Sequence, residues 1–254
     1  MIECKSAREL EIMRRAGVLV AEVHRLLAGA VKPGVTTGEL NFLADHAIRD
    51  VGAIPAFKGY HGFPGSICAS INDEVVHGIP GARKLQQGDI ISIDVGVIVD
   101  GYYGDAAVTY PVGEISEQAR RLLEVTSGSL TAGIAAAKAG ARLSDISYSV
   151  QQFVEASGMS VVRDYVGHGI GRQMHEQPQI PNFGAPGQGP VLRHGMTLAI
   201  EPMVNIGTYD VFTEGDKWTV RTKDGSLSAH FEHTIAIEDD TPAVLTRPEN
   251  ESGE

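Results

Sequence analysis

The stretch GDIISIDVGVIVDGYYGDAAVTYPVG, residues 88–113, predicts two apolar strands joined by a tight turn. Asp100-Gly101 is a dipeptide typical of two-residue hairpin turns, and a turn there pairs residue 99 with 102 and residue 96 with 105. Asp105 then lies opposite Gly96 and on the same face as Asp94, with roughly 7 Å or less between the Cβ atoms of the two aspartates. The hairpin therefore predicts two neighbouring carboxylates on one face of a sheet.

If this face of the sheet is buried, Asp94 and Asp105 lower the stability of the folded protein. An unpaired buried carboxylate is unfavourable, and two anions at this spacing repel each other. A shared cation or a shared proton would remove the repulsion. The alternative is that Asp94 and Asp105 lie on an edge strand in contact with solvent.

The helical part of the sequence contains an internal repeat. VKPGVTTGEL (31–40) resembles AKAGARLSDI (137–146), with Gly34 aligned on Gly140. Each segment carries a K-x-G turn between two apolar-periodic stretches, which predicts a helix on either side. The four helices are expected over 8–30, 36–51, 116–137 and 143–157.

The strands repeat in the same order. HGMTLAIEPMV (194–204) resembles the first strand of the hairpin, and FEHTIAIED (231–239) resembles the second. The acidic positions coincide, Asp94 with Glu201 and Asp105 with Glu232. Chance likeness is the alternative for any single pair, but four matches in one order argue against it.

The repeat predicts an α+β fold with two halves related by a pseudo-two-fold axis. A central antiparallel β-sheet lies in the middle, with helices outside, and the axis brings the four carboxylates together. We expect a single domain over 1–240, with halves of about 8–113 and 114–238. A polar tail over 241–254, expected to be frayed, would follow.

Composition narrows the class of protein. The 254 residues are 43% apolar and 21% charged, which is ordinary for a globular protein. The net charge of -11, without a Lys/Arg cluster, argues against a nucleic-acid substrate. The sequence has no apolar run long enough for a membrane span. Cys4 and Cys68 form no CxxC pair, which favours a reducing cytoplasm.

The stretch VGHGIGRQMHEQP, residues 166–178, adds two histidines to the acidic set. His168 and His175 could share one metal, have separate roles, or be polar residues of a loop. We expect Gly167, Gly169 and Gly171 to let the backbone turn tightly beside a metal site. Four carboxylates and a histidine are ligands that suit Mn, Fe(II), Co or Zn, and a carboxylate-bridged metal pair would indicate a hydrolase.

The chain resembles the type I methionine aminopeptidases of peptidase family M24, which have the pita-bread (creatinase/aminopeptidase) fold, over about 1–240. The resemblance rests on NDEVVHGIP (72–80), DVGVIVDGYYGD (94–105), GHGIGRQMHEQP (167–178), MTLAIEPMV (196–204) and SAHFEHT (228–234). It implies two divalent ions held by Asp94, Asp105, His168, Glu201 and Glu232.

The resemblance also implies roles in catalysis. A metal-bridged hydroxide would attack the peptide carbonyl, with Glu201 accepting a proton and with His77 and His175 contacting the substrate. The methionine side chain would lie against Tyr60, Phe63, Cys68, Met174 and Trp218. His61 is interpreted as a rim residue, and His230 and His233 as strand-edge residues or supports of the ligands.

The function so implied is removal of the initiator methionine from nascent proteins when the second residue is small and uncharged. The alternatives are an X-Pro aminopeptidase or prolidase of the same fold, and a non-enzymatic binding module. Asn72 and Ser228 match positions that hold a monovalent cation in some relatives. Expected partners are nascent N-termini and the ribosome near its exit tunnel. We expect a monomeric cytoplasmic enzyme that binds neither membrane nor nucleic acid.

Overall fold

The computed structural model describes residues 2–239 and 241–248. Its α-helices are α1 (Ala7–Ala30), α2 (Thr37–Asp50), α3 (Glu117–Ala136) and α4 (Leu143–Glu155), and a 3-10 turn spans Tyr60–Gly62. The strands of the first half are β1 (Ile54–Pro55), β2 (Ile67–Ile71), β3 (Glu74–Val76), β4 (Ile90–Val99) and β5 (Tyr102–Pro111). Those of the second half are β6 (Ser160–Val161), β7 (Gly167–Gly169), β8 (Glu176–Ile180), β9 (Thr197–Ile200), β10 (Met203–Asn205), β11 (Val211–Thr213), β12 (Val220–Thr222), β13 (Ser228–His230), β14 (His233–Ala236) and β15 (Ala243–Val244).

The four predicted helices are confirmed, and the repeat is visible in their turns. Gly34 and Gly140 precede α2 and α4 with φ of 93° and 87°, a left-handed conformation that favours glycine. Both turns are fixed by backbone hydrogen bonds, from Gly34 N–H to Leu85 O at 2.8 Å and from Gly140 N–H to Leu192 O at 2.9 Å. The sequence repeat is therefore a structural repeat of helix, turn and helix.

The predicted hairpin is also confirmed. β4 and β5 pair in antiparallel register, with Val99 opposite Tyr102 and Gly96 opposite Asp105. β2 joins β4 on its other side, which places Cys68 opposite Asp94. The hairpin packs against α1 and α2 through a core that includes Leu27, Leu40, Ile93 and Val95.

The second half departs from the continuous strands that the sequence predicted. β9 ends at Ile200 and β10 begins at Met203, so that Glu201 lies between two strands. Glu232 lies in the equivalent gap between β13 and β14. Instead of one central sheet, the described strands form several antiparallel sheets, with β9 and β14 in a five-stranded sheet of order β15-β14-β9-β7-β8 and β10 and β13 in another.

The segment after Asp239 differs from the frayed tail expected there. β15 pairs with β14, which places Val244 opposite Ile235. Leu245 and Thr246 are buried, and Leu245 N–H donates to Thr234 O at 2.9 Å. Composition alone did not reveal these long-range contacts, so the described part of the tail is ordered structure. The remainder, residue 240 and 249–254, lies outside the described residues.

Candidate metal centre

The hairpin supplies the first two carboxylates. Asp94 in β4 and Asp105 in β5 both line a cavity of about 200 Å³, and Asp105 is only 4% exposed. The predicted diagonal arrangement on one face is what the register produces. The alternative of two solvated edge aspartates is therefore wrong.

The breaks between β9 and β10 and between β13 and β14 supply the other two carboxylates. Glu201 and Glu232 line the same cavity, and Glu232 is buried. Glu232 N–H donates to Ala107 O at 2.9 Å, and Asp105 N–H donates to the Thr234 hydroxyl at 3.1 Å. These bonds join β5 of the first half to the β13–β14 segment of the second. The break at Glu232 thus lets the chain cross to the hairpin beside the carboxylates.

His168 in β7 completes the set. Its Nδ1 lies 2.9 Å from Gly169 O, and because a carbonyl only accepts, Nδ1 carries the proton. Nε2 therefore keeps its lone pair, and it lies 3.5 Å from Glu201 Oε1. Single ligand atoms of Asp105, His168 and Glu232 all lie within 4.8 Å of one another. One divalent ion could be bound by all three.

The electrostatics of these carboxylates fit a metal. Burial raises the pKa of Asp105 to about 7, and burial together with neighbouring carboxylates raises the pKa of Asp94, Glu201 and Glu232 well above the usual range. Within residues 2–239 and 241–248, one buried oxygen on each of three carboxylates has no hydrogen-bond partner: Asp94 Oδ1, Asp105 Oδ1 and Glu232 Oε1. Buried oxygens without donors are costly unless a cation coordinates them. The donor set therefore fits divalent metal ions.

The two histidines expected to contact substrate also line the cavity. The Tyr60 hydroxyl lies 2.7 Å from Nδ1 of His175, whose ring is 4.4 Å from that of His168. His77 has a φ of 60°, an uncommon conformation for a residue with a side chain, and its ring faces Trp218 and Tyr165. Burial lowers the pKa of His77 to about 4, and burial with His61 lowers the pKa of His175. Both rings are neutral at pH 7.

The cavity is also lined by apolar residues. Phe63 and Trp218 meet edge to face at a centroid distance of 5.1 Å. Met174 and Cys68 are buried in the same cluster, and Tyr60 packs on it. The structure thus brings all five predicted wall residues beside the carboxylates, and the cavity is suited to one apolar side chain.

The histidines outside the ligand set, and one aromatic residue, also have defined positions. His61, interpreted as a rim residue, is exposed and lines the cavity, with its ring 4.4 Å from that of Tyr60. Phe57 lines it too, and no motif singled this residue out. His230 Nε2 lies 3.8 Å from Glu201 and 4.0 Å from Glu232, whereas His233 Nδ1 is turned away, 2.8 Å from the Thr246 hydroxyl.

The glycines of the His168–His175 stretch have a different purpose from the tight turning we expected. Gly167, Gly169 and Gly171 all lack a positive φ. A Cβ atom at Gly167 would collide with Ala199 O, and one at Gly169 with Gln177 O. These glycines let β7 pack closely against its neighbours, and the sequence did not indicate such close approach.

Asn72 and Ser228 meet outside the cavity. Ser228 N–H donates to Asn72 O at 2.9 Å, and the Ser228 hydroxyl donates to Val204 O at 3.3 Å. Asn72 has a φ of 60°. The two predicted residues are therefore neighbours on β13 and the turn before β3.

Comparison with known proteins identifies the class. The model of metallopeptidase family M24 matches residues 11–239. With its carboxylate-rich centre and repeated halves, the molecule is a metallopeptidase of the pita-bread fold. A methionine aminopeptidase of Clostridium acetobutylicum is 57% identical over 247 residues, which cover 97% of this chain and 99% of the relative. The chain belongs to metallopeptidase family M24 and, within it, to the methionine aminopeptidases.

Solved structures agree. The crystal structure of methionine aminopeptidase from Rickettsia prowazekii matches with a TM-score of 0.96 at 46% identity, over 97% of this chain and 100% of that chain. The prolidase from Pyrococcus horikoshii matches with a TM-score of 0.77 at 20% identity, over 98% of this chain and 64% of that chain, and it shares the fold. None of the helices among the described residues is long and apolar enough to cross a membrane.

Proposed function

We propose that this protein is a metal-dependent aminopeptidase that removes the initiator methionine from nascent chains whose second residue is small and uncharged. One observation carries the proposal: a single cavity is lined both by five metal-type ligands and by an apolar cluster suited to a methionine side chain. Family membership supports the same reaction.

Two divalent ions, when bound, would lower the pKa of water and polarise the scissile carbonyl. Asp94, Asp105, His168, Glu201 and Glu232 are the residues that would hold them. The mostly oxygen donor set favours Mn, Fe(II), Co or Zn. Which of these the protein uses is best answered by metal analysis of the purified native protein.

Glu201 is the proposed proton acceptor. Glu201 lines the cavity beside the other proposed ligands, so with metal bound its carboxylate would lie next to the attacking water. His230, 3.8 Å from the carboxylate, has a pKa that burial lowers to about 3 and stays neutral beside it. A proton taken from the attacking water can therefore be held at Glu201.

His175 is the proposed donor to the carbonyl oxygen. Burial raises the pKa of Tyr60, which keeps its hydroxyl protonated and able to donate to Nδ1 of His175 at 2.7 Å. Nε2 of the neutral imidazole then carries the proton and can stabilise negative charge on the oxygen in the transition state. His77, whose ring lies 6.4 Å from that of Trp218, is the residue we propose to contact the nitrogen side of the scissile bond.

The pocket explains why only the first residue would be removed. The methionine side chain would occupy the apolar wall formed by Phe63, Cys68, Met174 and Trp218, below Tyr60. The free α-amine would lie on the Asp94 side of the cavity. Because the cavity measures about 200 Å³, it accommodates one side chain, and crowding at its mouth favours a small second residue.

The experiment compares two substrates with metal-loaded protein. We expect cleavage of Met-Ala-Ser with Mn(II) or Co(II), loss of cleavage with excess chelator, and little turnover of X-Pro peptides. Preference for an X-Pro peptide would establish the prolidase-type alternative. Absence of turnover on both substrates, with metal bound, would favour the binding module.

Finer features of this assignment are also proposals. The hydrogen bond from Ser228 N–H to Asn72 O makes these residues neighbours and supports a monovalent cation site there, which activity measured in K⁺, Na⁺ and choline buffers would test. The cysteines Cys4 and Cys68 are both unpaired thiols, which supports a cytoplasmic location. A monomer and contact with the ribosome remain expectations, for sedimentation of the protein alone and with ribosomes to decide.

A further inference from the structure

A second cavity borders the catalytic pocket. It measures about 560 Å³, and His168 and His175 line both cavities. Three exposed glutamines, Gln173, Gln177 and Gln179, line the second cavity, which we call the glutamine groove. We propose that the glutamine groove binds the backbone of the substrate chain beyond its second residue, a proposal that rests on the proposed function.

Continuity with the pocket is the first argument. The catalytic cavity holds about 200 Å³, enough for the methionine side chain but not for the chain that follows it. That chain must leave beside the residues that contact the scissile bond. His175, the proposed carbonyl donor, is on the boundary between the two cavities, so a chain leaving there enters the groove directly.

Chemistry is the second argument. Proteins that share an N-terminal methionine share only their backbone further on, so a downstream site must recognise amides and not side chains. A glutamine amide both donates and accepts, which complements a peptide group of any sequence. The charged residues of the groove have partners of opposite charge: Glu176 and Glu3 lie 2.6 Å and 3.9 Å from Lys5 Nζ, and Arg172 lies 3.8 Å from Glu9.

Position is the third argument. Gln177 and Gln179 are on β8, where they alternate with the buried residues Pro178 and Ile180, so both side chains are on the exposed face. Gln179 is directly opposite His168 in the neighbouring strand. Both amides therefore line the groove next to the residues of the metal centre, where the chain beyond the second residue would lie.

The test compares substrate length in matched variants. The measured quantity is the ratio of kcat/KM for Met-Ala-Ser-Ala-Ser-Ala to that for Met-Ala-Ser, with Mn(II)-loaded protein. We expect a ratio on the order of tenfold in the wild type, which is the gain from two net hydrogen bonds. The ratio should fall towards one in the double variant Gln177→Ala/Gln179→Ala and stay at the wild-type value in Gln118→Ala, an exposed glutamine on α3.

Using a ratio removes any general effect of the variants on the metal centre. A second probe, the hexapeptide with N-methylated nitrogens at residues four to six, should lose its advantage in the wild type. The proposal is overturned if the wild-type ratio is one, or if the advantage survives the double substitution. Failure to cleave Met-Ala-Ser at all would instead contradict the proposed function, so the two failures are distinguishable.

Discussion

Two clusters of buried carboxylates in this protein differ in how their charge is balanced. Glu74, at the start of β3, lies 2.6 Å from Arg83 and 3.0 Å from Arg221, and its other oxygen accepts from Ile71 N–H at 2.7 Å. Among the described residues, no arginine or lysine pairs with the four cavity carboxylates. In the part of the chain that the structure describes, their ion-pair contacts are with His168 and His230, whose pKa values burial lowers to about 4 and about 3.

The difference shows what the catalytic cavity requires. The chain can surround a buried carboxylate with arginines, as it does at Glu74, and it does not do so around Asp94, Asp105, Glu201 and Glu232. Neutral histidines add no positive charge to this second cluster, and the raised pKa values show that ionising its four carboxylates together is unfavourable. Divalent ions from outside the chain would supply the positive charge that lets all four ionise.

The largest expected effect distinguishes Glu232, in the cavity, from Glu74, which is paired with arginines. Glu232→Gln should lower kcat/KM on Met-Ala-Ser by on the order of 10³-fold, because it weakens metal binding at the centre. Glu74→Gln should leave the protein active at 25 °C but lower its thermal stability. Loss of activity in both variants to the same extent would remove the distinction between the clusters.

The stability of the protein around Glu74 and Asp73 should depend on the positive charge of Arg221. Arg221→Met should lower the free energy of unfolding by about 2–4 kcal/mol, since it leaves Glu74 and Asp73 short of a partner in a half-buried setting. Chemical denaturation with and without metal measures the effect. The double variant Arg221→Met/Glu74→Gln should be less destabilised than the sum of the single variants, and strict additivity would contradict the pairing.

Among the four cavity carboxylates, removal of a charged group should instead stabilise the protein when metal is absent. Asp105→Asn should raise the melting temperature of the chelated protein by several °C at pH 7.5, because it removes a charge that burial disfavours. The folded pKa of Asp105 is about 7, above its unfolded value, so the wild type loses stability as pH rises from about 4 to about 7.

The advantage of Asp105→Asn over the wild type should therefore grow through that window and be smallest near pH 4. Comparing the two proteins at each pH cancels the titration of the other groups. A pH-independent difference, or a variant that is less stable in chelator, would show that Asp105 is not held as a strained carboxylate.

The smallest expected effect concerns Tyr60, whose hydroxyl contacts the neutral ring of His175. Tyr60→Phe should lower kcat by about five- to tenfold with little change in KM, because it removes the hydroxyl that fixes the tautomer of His175. His175→Ala should lower kcat by on the order of 10²-fold or more. Nitrogen chemical shifts of His175 should show Nε2 protonated in the wild type and a tautomer mixture in Tyr60→Phe. If the nitrogen chemical shifts of His175 are the same in the wild type and in Tyr60→Phe, the role assigned to Tyr60 is ruled out.

The sequence predicted the helices and the β4–β5 hairpin because each is governed by local signals. Periodicity and K-x-G turns fix the helices, and Asp100-Gly101 fixes the register that places Asp105 opposite Gly96. The strand breaks at Glu201 and Glu232 were missed. Pro202 was a local signal for the first, since proline cannot donate within a sheet.

The second break had no local signal. It depends on Glu232 N–H bonding to Ala107 O and on Thr234 bonding to Asp105, contacts between residues more than a hundred positions apart. The packing of Leu245 with Met13 and Tyr102 is long-range in the same sense, and the close approach of Gly169 to Gln177 depends on the pairing of β7 with β8. The sequence pattern therefore predicted which residues would gather at the site, and the tertiary contacts determined how they are held.

The central claim is that external cations balance the charge of the four cavity carboxylates. Calorimetric titration of chelated protein with Mn(II), followed by the melting temperature and by activity on Met-Ala-Ser, tests it most directly. We predict saturable Mn(II) binding that raises the melting temperature and restores cleavage in the wild type and in Glu74→Gln, with much weaker binding in Glu232→Gln. Full activity and an unchanged melting temperature in excess chelator would contradict the account.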